Sequence, residues 1–147
     1  CLKPAGATYE PSYEAEEAGL GKGSVRYRIA LPDDTPMGIA GIYRVWRFPD
    51  GRENLTFSML TVNADGHPVM SRFHRRKDEK RMVIILRPDE YLPWLTCSLD
   101  VAPSYFRRYE DPLIATPAPL PKRAPRADSR VVRPPPPVSG DLFDQAD

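Results

Sequence analysis

Residues 25–31 alternate apolar and basic side chains, with Val25, Tyr27, Ile29 and Leu31 set against Arg26 and Arg28. A period of two predicts a strand with one buried face, because successive side chains leave a pleated chain on opposite sides. Residues 37–48 (Met-Gly-Ile-Ala-Gly-Ile-Tyr-Arg-Val-Trp-Arg-Phe) predict a longer strand. Pro49-Asp50-Gly51-Arg52 then has the composition of a tight hairpin connection, and residues 55–62 predict the returning strand. Residues 82–86 are short and wholly apolar, as central strands are. Residues 1–10 read as a strand closing on a glycine bend, and residues 113–115 as a return to the sheet. Helices are few. Residues 88–95 place Pro88 in a first turn with Asp89 and Glu90 near the positive end, and Ser104 can cap a short helix carrying Tyr105, Phe106 and Tyr109. The acidic stretch 11–23, ending in Gly19-Leu20-Gly21-Lys22-Gly23, predicts a loop, and residues 32–36 a turn. The pattern is that of an α+β fold dominated by antiparallel strands.

Composition changes this picture at one place. Eight of the eighteen prolines lie from Pro117 onward, with few apolar anchors among them. Such a segment buries too little surface to offset its chain entropy, so residues 117–147 are expected to be a disordered, polyproline-rich tail after a single domain at 1–116. The 147 residues and formal net charge of +1 fit one modest core and exclude a generic polyanion binder; any nucleic-acid contact must come from local patches. Cys1 and Cys97 make neither a disulfide framework nor a metal site, which suits a reducing cytoplasm. No apolar run approaches a membrane span. The chain begins without Met and enters strand-like sequence at once, so an N-terminal portion of the protein is expected to be missing from it.

Candidate chemistry concentrates between residues 63 and 86. His74 is a titratable imidazole beside a dense basic loop, Arg72, Arg75, Arg76, Lys77 and Arg81, that runs into an apolar strand. Imidazole both takes and gives a proton near neutrality, and clustered cations suit a phosphate backbone. A solvated turn that happens to carry a histidine is the alternative. Glu10 ends a strand after Ala7 and Tyr9, where partial burial would raise its pKa and suit proton transfer; a water-exposed strand-end glutamate is the alternative. His67 and His74 lack the carboxylate or thiolate partners of a zinc site, and His67, directly before Pro68, reads as a turn residue. No phosphate loop, nucleophile elbow or His-Glu-x-x-His motif is present, and no metal or cofactor is expected.

Four segments resemble one family in the correct order. Residues 1–10, Cys-Leu-Lys-Pro-Ala-Gly-Ala-Thr-Tyr-Glu, resemble the Cys-(Leu/Ile)-x-Pro-Ala-x-Gly-Phe-Tyr-Glu-Trp signature of the SOS response-associated peptidase (SRAP) family. Residues 40–46 resemble its Ala-Gly-Leu-x-x-x-Trp strand, residues 57–64 its Phe-Thr-Ile-Leu-Thr-x-x-Ala strand, and residues 81–86 the Arg-Met-Pro-x-Ile-Leu that follows its histidine. The resemblance runs to about residue 117. It implies a barrel-like, mostly antiparallel sheet and a bacterial or phage-type, nucleoid-associated protein that traps abasic sites in single-stranded DNA. An N-terminal cysteine, exposed by removal of the initiator Met, forms a thiazolidine with the opened sugar aldehyde, alongside autopeptidase and lyase-type chemistry. Glu10 and His74 fall at the family's catalytic Glu and His positions: the glutamate assists ring opening, and the histidine shuttles a proton during crosslinking and reversal. The basic loop would meet the DNA backbone.

Departures from the family pattern are as plain. The nucleophilic cysteine and the Asn-Ala-Arg motif are expected upstream; Cys1 aligns with an internal cysteine and does not inherit that role. Pro11 replaces the Trp after the signature Glu, and Val83 the Pro after Arg-Met. Residues 75–80 lengthen the family's His-x-Arg-Met spacing. These departures leave open a non-catalytic DNA-binding or interaction module, and a fragment inactive by itself. In the tail, Asp141-Leu142-Phe143 weakly resembles the end of a sliding-clamp peptide.

Overall fold

The computed structural model describes residues 1–121; the rest of the predicted tail, including Asp141, Leu142 and Phe143, lies outside the described residues. Nine strands and two short helices follow in the order β1 (Leu2–Ala5), β2 (Thr8–Ser12), α1 (Glu14–Glu17), β3 (Val25–Ala30), β4 (Met37–Arg47), β5 (Glu53–Met59), β6 (Thr61–Asn63), β7 (Arg81–Val83), β8 (Ile85–Leu86), α2 (Tyr91–Thr96) and β9 (Ile114–Pro117). Every pairing among them is antiparallel. Strand β4 is the spine: its first half pairs with β1 and β8, and its second half forms a long hairpin with β5. Strands β2, β3 and β9 make a second sheet, and β6 and β7 a third ladder. The α+β, mostly antiparallel architecture matches the apolar patterning.

A ring of three backbone hydrogen bonds ties these ladders together. Ala40 donates to the Ile84 carbonyl, Ile84 to Leu60 and Leu60 to Ala40, at 2.9, 2.9 and 3.0 Å. At this junction two segments predicted as single strands divide: 55–62 into β5 and β6 at Leu60, and 82–86 into β7 and β8 at Ile84. The break at Ile84 reverses the alternation of side chains. Met82 and Ile85, three apart, therefore join one apolar cluster with Ile29, Met37, Ile39 and Phe73, whereas Ile84 and Leu86 join Ala40 and Trp94 in the other. A strand between two cores is apolar on both faces, which is why 82–86 shows no alternation.

Other boundaries shift for local reasons. The predicted first strand bends at Gly6 into β1 and β2, and β2 runs on through Pro11 to Ser12. Part of the predicted loop is helical, since Glu14–Glu17 forms α1. The helix predicted at 88–95 is a 3-10 turn, Pro88–Glu90, leading into α2. Trp94 of α2 is buried and donates its indole N–H to the Cys1 carbonyl at 2.8 Å. Ser104 caps no helix: it lies inside a 3-10 turn, Ala102–Tyr105, and Phe106 and Tyr109 fall beyond it. Strand β9 includes Pro117, and Ala118 still donates to the Arg26 carbonyl at 2.8 Å. No helix among the described residues is long and apolar enough to cross a membrane.

Candidate active site and its basic loop

Glu10 and His74, 64 positions apart, meet in the fold. Glu10 lies in the middle of β2, opposite Tyr27 of β3. Alternation along β2 sends its neighbour Tyr9 to the exposed side, where the Arg26 guanidinium stacks 4.4 Å from the ring centre. Glu10 faces inward, its side chain 20% exposed.

His74 arrives on the loop after the 3-10 turn Met70–Arg72. Phe73 anchors that loop: it is fully buried and packs against Tyr27, ring centres 5.5 Å apart. Directly after this plug the backbone of His74 turns left-handed, φ +63°. Its N–H donates to the Pro11 carbonyl at 3.0 Å, and its own carbonyl accepts from the Lys80 ammonium at 3.2 Å. Non-glycine residues rarely occupy this region, and they persist there only where the surroundings over-determine them. Here three contacts do so: the Phe73 plug, the strand β2 and Lys80.

The outcome is a carboxylate–imidazole pair, with Nε2 of His74 3.4 Å from Oε2 of Glu10. The atoms lie within ion-pair distance but make no hydrogen bond, so the buried Nε2 has no hydrogen-bond partner among the described residues. Catalytic hydrogen bonds are often long before substrate is bound and tighten afterwards. Burial raises the Glu10 pKa above the ordinary glutamate value, and the nearby imidazole, when charged, opposes part of that rise. A glutamate that holds its proton more readily than usual, beside an imidazole, can give and accept protons in mild conditions.

The basic loop is docked rather than free. Arg72 grips Glu14 with two hydrogen bonds, 3.1 and 3.2 Å. Arg75 pairs with Glu16 at 3.1 Å and stacks on Tyr13, and the Arg76 N–H donates to Glu17 at 2.8 Å. Hydrogen bonding to Arg72 is the largest cause holding the Glu14 carboxyl below its ordinary range, and Glu14 in turn raises the Arg72 pKa. Arg81 bonds the Thr61 hydroxyl at 2.8 Å and pairs with Glu79 at 3.3 Å. Of the five cations picked out for DNA, three thus have carboxylate partners. Among the described residues, the Arg76 guanidinium and the Lys77 ammonium pair with no carboxylate; both line an open hollow of about 480 Å³.

Two groups of residues escaped the sequence reading. Glu14, Glu16 and Glu17 form the acidic counterpart of the basic loop, and their signal was a charge run matching another of opposite sign. His67 is a buried anchor: its Nδ1 accepts from the N–H groups of Val69 and Met70 at 3.1 and 3.0 Å, and Nε2 donates to the Tyr109 carbonyl at 2.8 Å. Nothing in the sequence pairs it with Tyr109.

Comparison with known proteins bears on the family and the fold. The family model described as SOS response associated peptidase (SRAP) matches residues 1–116, and the chain belongs to that family. A solved protein from Bordetella bronchiseptica, described only as a structural genomics target, superposes with a TM-score of 0.73 at 34% identity, over 82% of this chain and 55% of that one. A second, from Bacteroides thetaiotaomicron, gives a TM-score of 0.62 at 25% identity, over 78% of this chain and 47% of that one. The chain therefore spans about half the length of these solved relatives. Family membership associates the chain with the response to DNA damage in general.

Proposed function

We propose that these residues form the proton-transfer half of an abasic-site trap acting on single-stranded DNA. The observation that carries this reading is the Glu10–His74 pair, set 3.4 Å apart by a left-handed backbone turn at the histidine. In this reading the opened sugar aldehyde condenses with the amine and thiol of an N-terminal cysteine. One C–N and one C–S bond form, and one water leaves. Glu10, its pKa raised by burial, protonates the ring oxygen as the sugar opens, and His74 moves the proton that the hemiaminal must gain to lose water. The same groups act in the opposite direction on reversal. Cys1 is not the nucleophile in this scheme, since its amine is engaged by the Gly41 carbonyl at 2.7 Å, in line with the β1–β4 ladder. Of the five cations picked out for DNA, Arg76 and Lys77 are the two without carboxylate partners, and in this reading they meet the DNA phosphates from a hollow they share with Glu17 and Asp78.

The test uses a polypeptide that joins these residues to the family's N-terminal cysteine, incubated with single-stranded DNA carrying one abasic site. An adduct that survives denaturation, and whose reversal slows in His74→Ala, supports the reading; no adduct overturns it. The competing reading is a non-catalytic DNA-binding module. It requires salt-sensitive binding that depends on Arg72, Arg75, Arg76 and Lys77 and is indifferent to Glu10→Gln. The carboxylate partners of Arg72 and Arg75 weigh against it.

A further inference from the structure

Two runs of opposite charge, far apart in the sequence, close on each other beside the candidate site. One is the segment between β2 and β3, residues 13–24, which carries Glu14, Glu16 and Glu17 on the single turn α1. The other is the loop around His74, with Arg72 before the histidine and Arg75 and Arg76 after it. They meet in chain order: Glu14 accepts two N–H bonds from the Arg72 guanidinium, Glu16 one from Arg75, and Glu17 one from the backbone N–H of Arg76. Guanidinium forks and backbone N–H groups hold phosphate oxygens as readily as carboxylate oxygens. Three carboxylates of the chain itself thus occupy seats suited to a phosphate backbone.

Little else holds this segment down. None of residues 14–24 is buried, and Glu16 alone is half-buried. Leu20, the one large apolar side chain among them, is 84% exposed. A single helical turn is not stable by itself. Gly19 and Gly23, at φ +72° and +76°, take the left-handed conformations that glycine adopts freely and supply a hinge ahead of β3. At the other end the segment leaves the buried Ser12 of β2, the strand that carries Glu10. A structural brace is held by buried apolar contacts, which salt does not weaken. This one is held by exposed ion pairs, which are individually weak and screened by salt.

We infer that residues 13–24 form an autoinhibitory strap, which occupies the phosphate seats of the basic loop until single-stranded DNA displaces it. The inference rests on reading the site as one that acts on single-stranded DNA. Arg76 and Lys77, whose side chains pair with no carboxylate among the described residues, are the cations the DNA backbone meets first. Arg72 and Arg75 follow as the strap lets go, each exchanging one anion for another. Glu17 lines the same open hollow as Arg75, Arg76 and Lys77, so its departure also removes a carboxylate from the path of the DNA. The three glutamates are tethered on one turn and rebind together, so a single phosphate competes poorly with them whereas linked phosphates displace them as a set. The strap therefore selects a phosphate chain over free phosphate.

The experiment measures binding of a fluorescent oligothymidylate to the full 147-residue chain and to a strap variant combining Glu14→Gln, Glu16→Gln and Glu17→Gln. A control variant loses three exposed carboxylates elsewhere, through Asp33→Asn, Asp89→Asn and Asp100→Asn, and so carries the same net charge as the strap variant. The strap variant should bind about tenfold tighter than the parent or better, and the gap should narrow as salt screens the parent's own ion pairs. The control should stay within about threefold of the parent, since distant exposed charges are screened. A second measurement needs no variant to bind: on adding oligothymidylate, the parent's amide resonances of Glu17, Ala18, Gly19 and Leu20 should move to the positions they hold in the strap variant. Equal or weaker binding by the strap variant, or unmoved resonances in the DNA-bound parent, overturns the strap and leaves the DNA reading standing. Binding by none of the three proteins overturns the DNA reading and the strap with it. Inorganic phosphate that moves the same resonances as readily as the oligonucleotide overturns the assignment to a phosphate chain.

Discussion

Replacing His74 by glycine should leave the protein as stable as before, or more so, while removing the proposed proton shuttle. At φ +63° any residue with a Cβ is strained, by about 1–2 kcal/mol relative to the right-handed region. Glycine relieves that strain but loses about 0.5–1 kcal/mol through its freer unfolded chain. Between about 0 and 1.5 kcal/mol therefore remains in favour of His74→Gly over His74→Ala. Both substitutions also remove the buried, unpartnered Nε2, a group whose desolvation costs about 1–3 kcal/mol when unsatisfied. Against this stands the packing lost with an imidazole that is only 27% exposed. Urea unfolding of the three proteins measures the order directly: glycine at or above the parent, alanine below glycine. A functional residue held in strain at the expense of stability is the expected signature of a site. If His74→Gly is less stable than His74→Ala, the left-handed turn is not where the strain lies and the argument from backbone to function fails.

The remaining predictions use the same assays. Because burial raises the Glu10 pKa, the folded state holds this proton where the unfolded state has lost it, so stability falls as pH rises from the ordinary glutamate range through the raised value. Glu10→Gln should flatten that slope and match or exceed the parent above it; an unchanged slope in chemical unfolding across pH contradicts the assignment. His67→Ala strands two buried N–H groups and one carbonyl and should cost about 3 kcal/mol or more in urea unfolding; a loss below about 1 kcal/mol would mean these groups find other partners. At Gly38 an added Cβ would stand 2.7 Å from Cζ of Tyr91, whose hydroxyl accepts from the Gly38 N–H, so Gly38→Ala should destabilise by about 1–3 kcal/mol in the same assay. Breaking the exposed Arg72–Glu14 pair with Glu14→Gln should change stability by no more than about 1 kcal/mol, and by less at high salt; a larger, salt-independent loss would show that the pair does more than clasp the loop.

Much of the fold was legible because apolar periodicity reports which face a strand buries. The alternation at 25–31 and the long run at 37–48 became β3 and β4 with boundaries shifted by one residue at the C-terminal end. Where the chain changes sheets, at Gly6, Leu60 and Ile84, periodicity is silent, since a break that hands a residue to another core leaves the local composition unchanged. Short helices were hard for a related reason: α1 owes its place to pairing with Arg72, Arg75 and Arg76 far along the chain. Glu10 and His74 could be nominated from residue type and resemblance, but their approach to 3.4 Å is a tertiary fact set by Phe73, Pro11 and Lys80. The inserted loop 75–80 is closed by Lys80, which folds back onto the His74 and Arg75 carbonyls. The anchoring of His67 to Tyr109 depends on a contact 42 residues away that no local pattern encodes.

The central claim is that Glu10 and His74 work as one proton-transfer unit, and a double-mutant cycle tests it most directly. Adduct reversal would be timed for the cysteine-bearing protein, for Glu10→Gln, for His74→Ala and for the two together. Each single change should slow reversal by about 10²–10⁴-fold, the usual range for a positioned acid or base. Groups that act as a unit are strongly non-additive, so the double variant should be no more than a few-fold slower than the slower single one. A double variant whose loss equals the product of the two single losses would mean that the residues act independently, and would contradict the account.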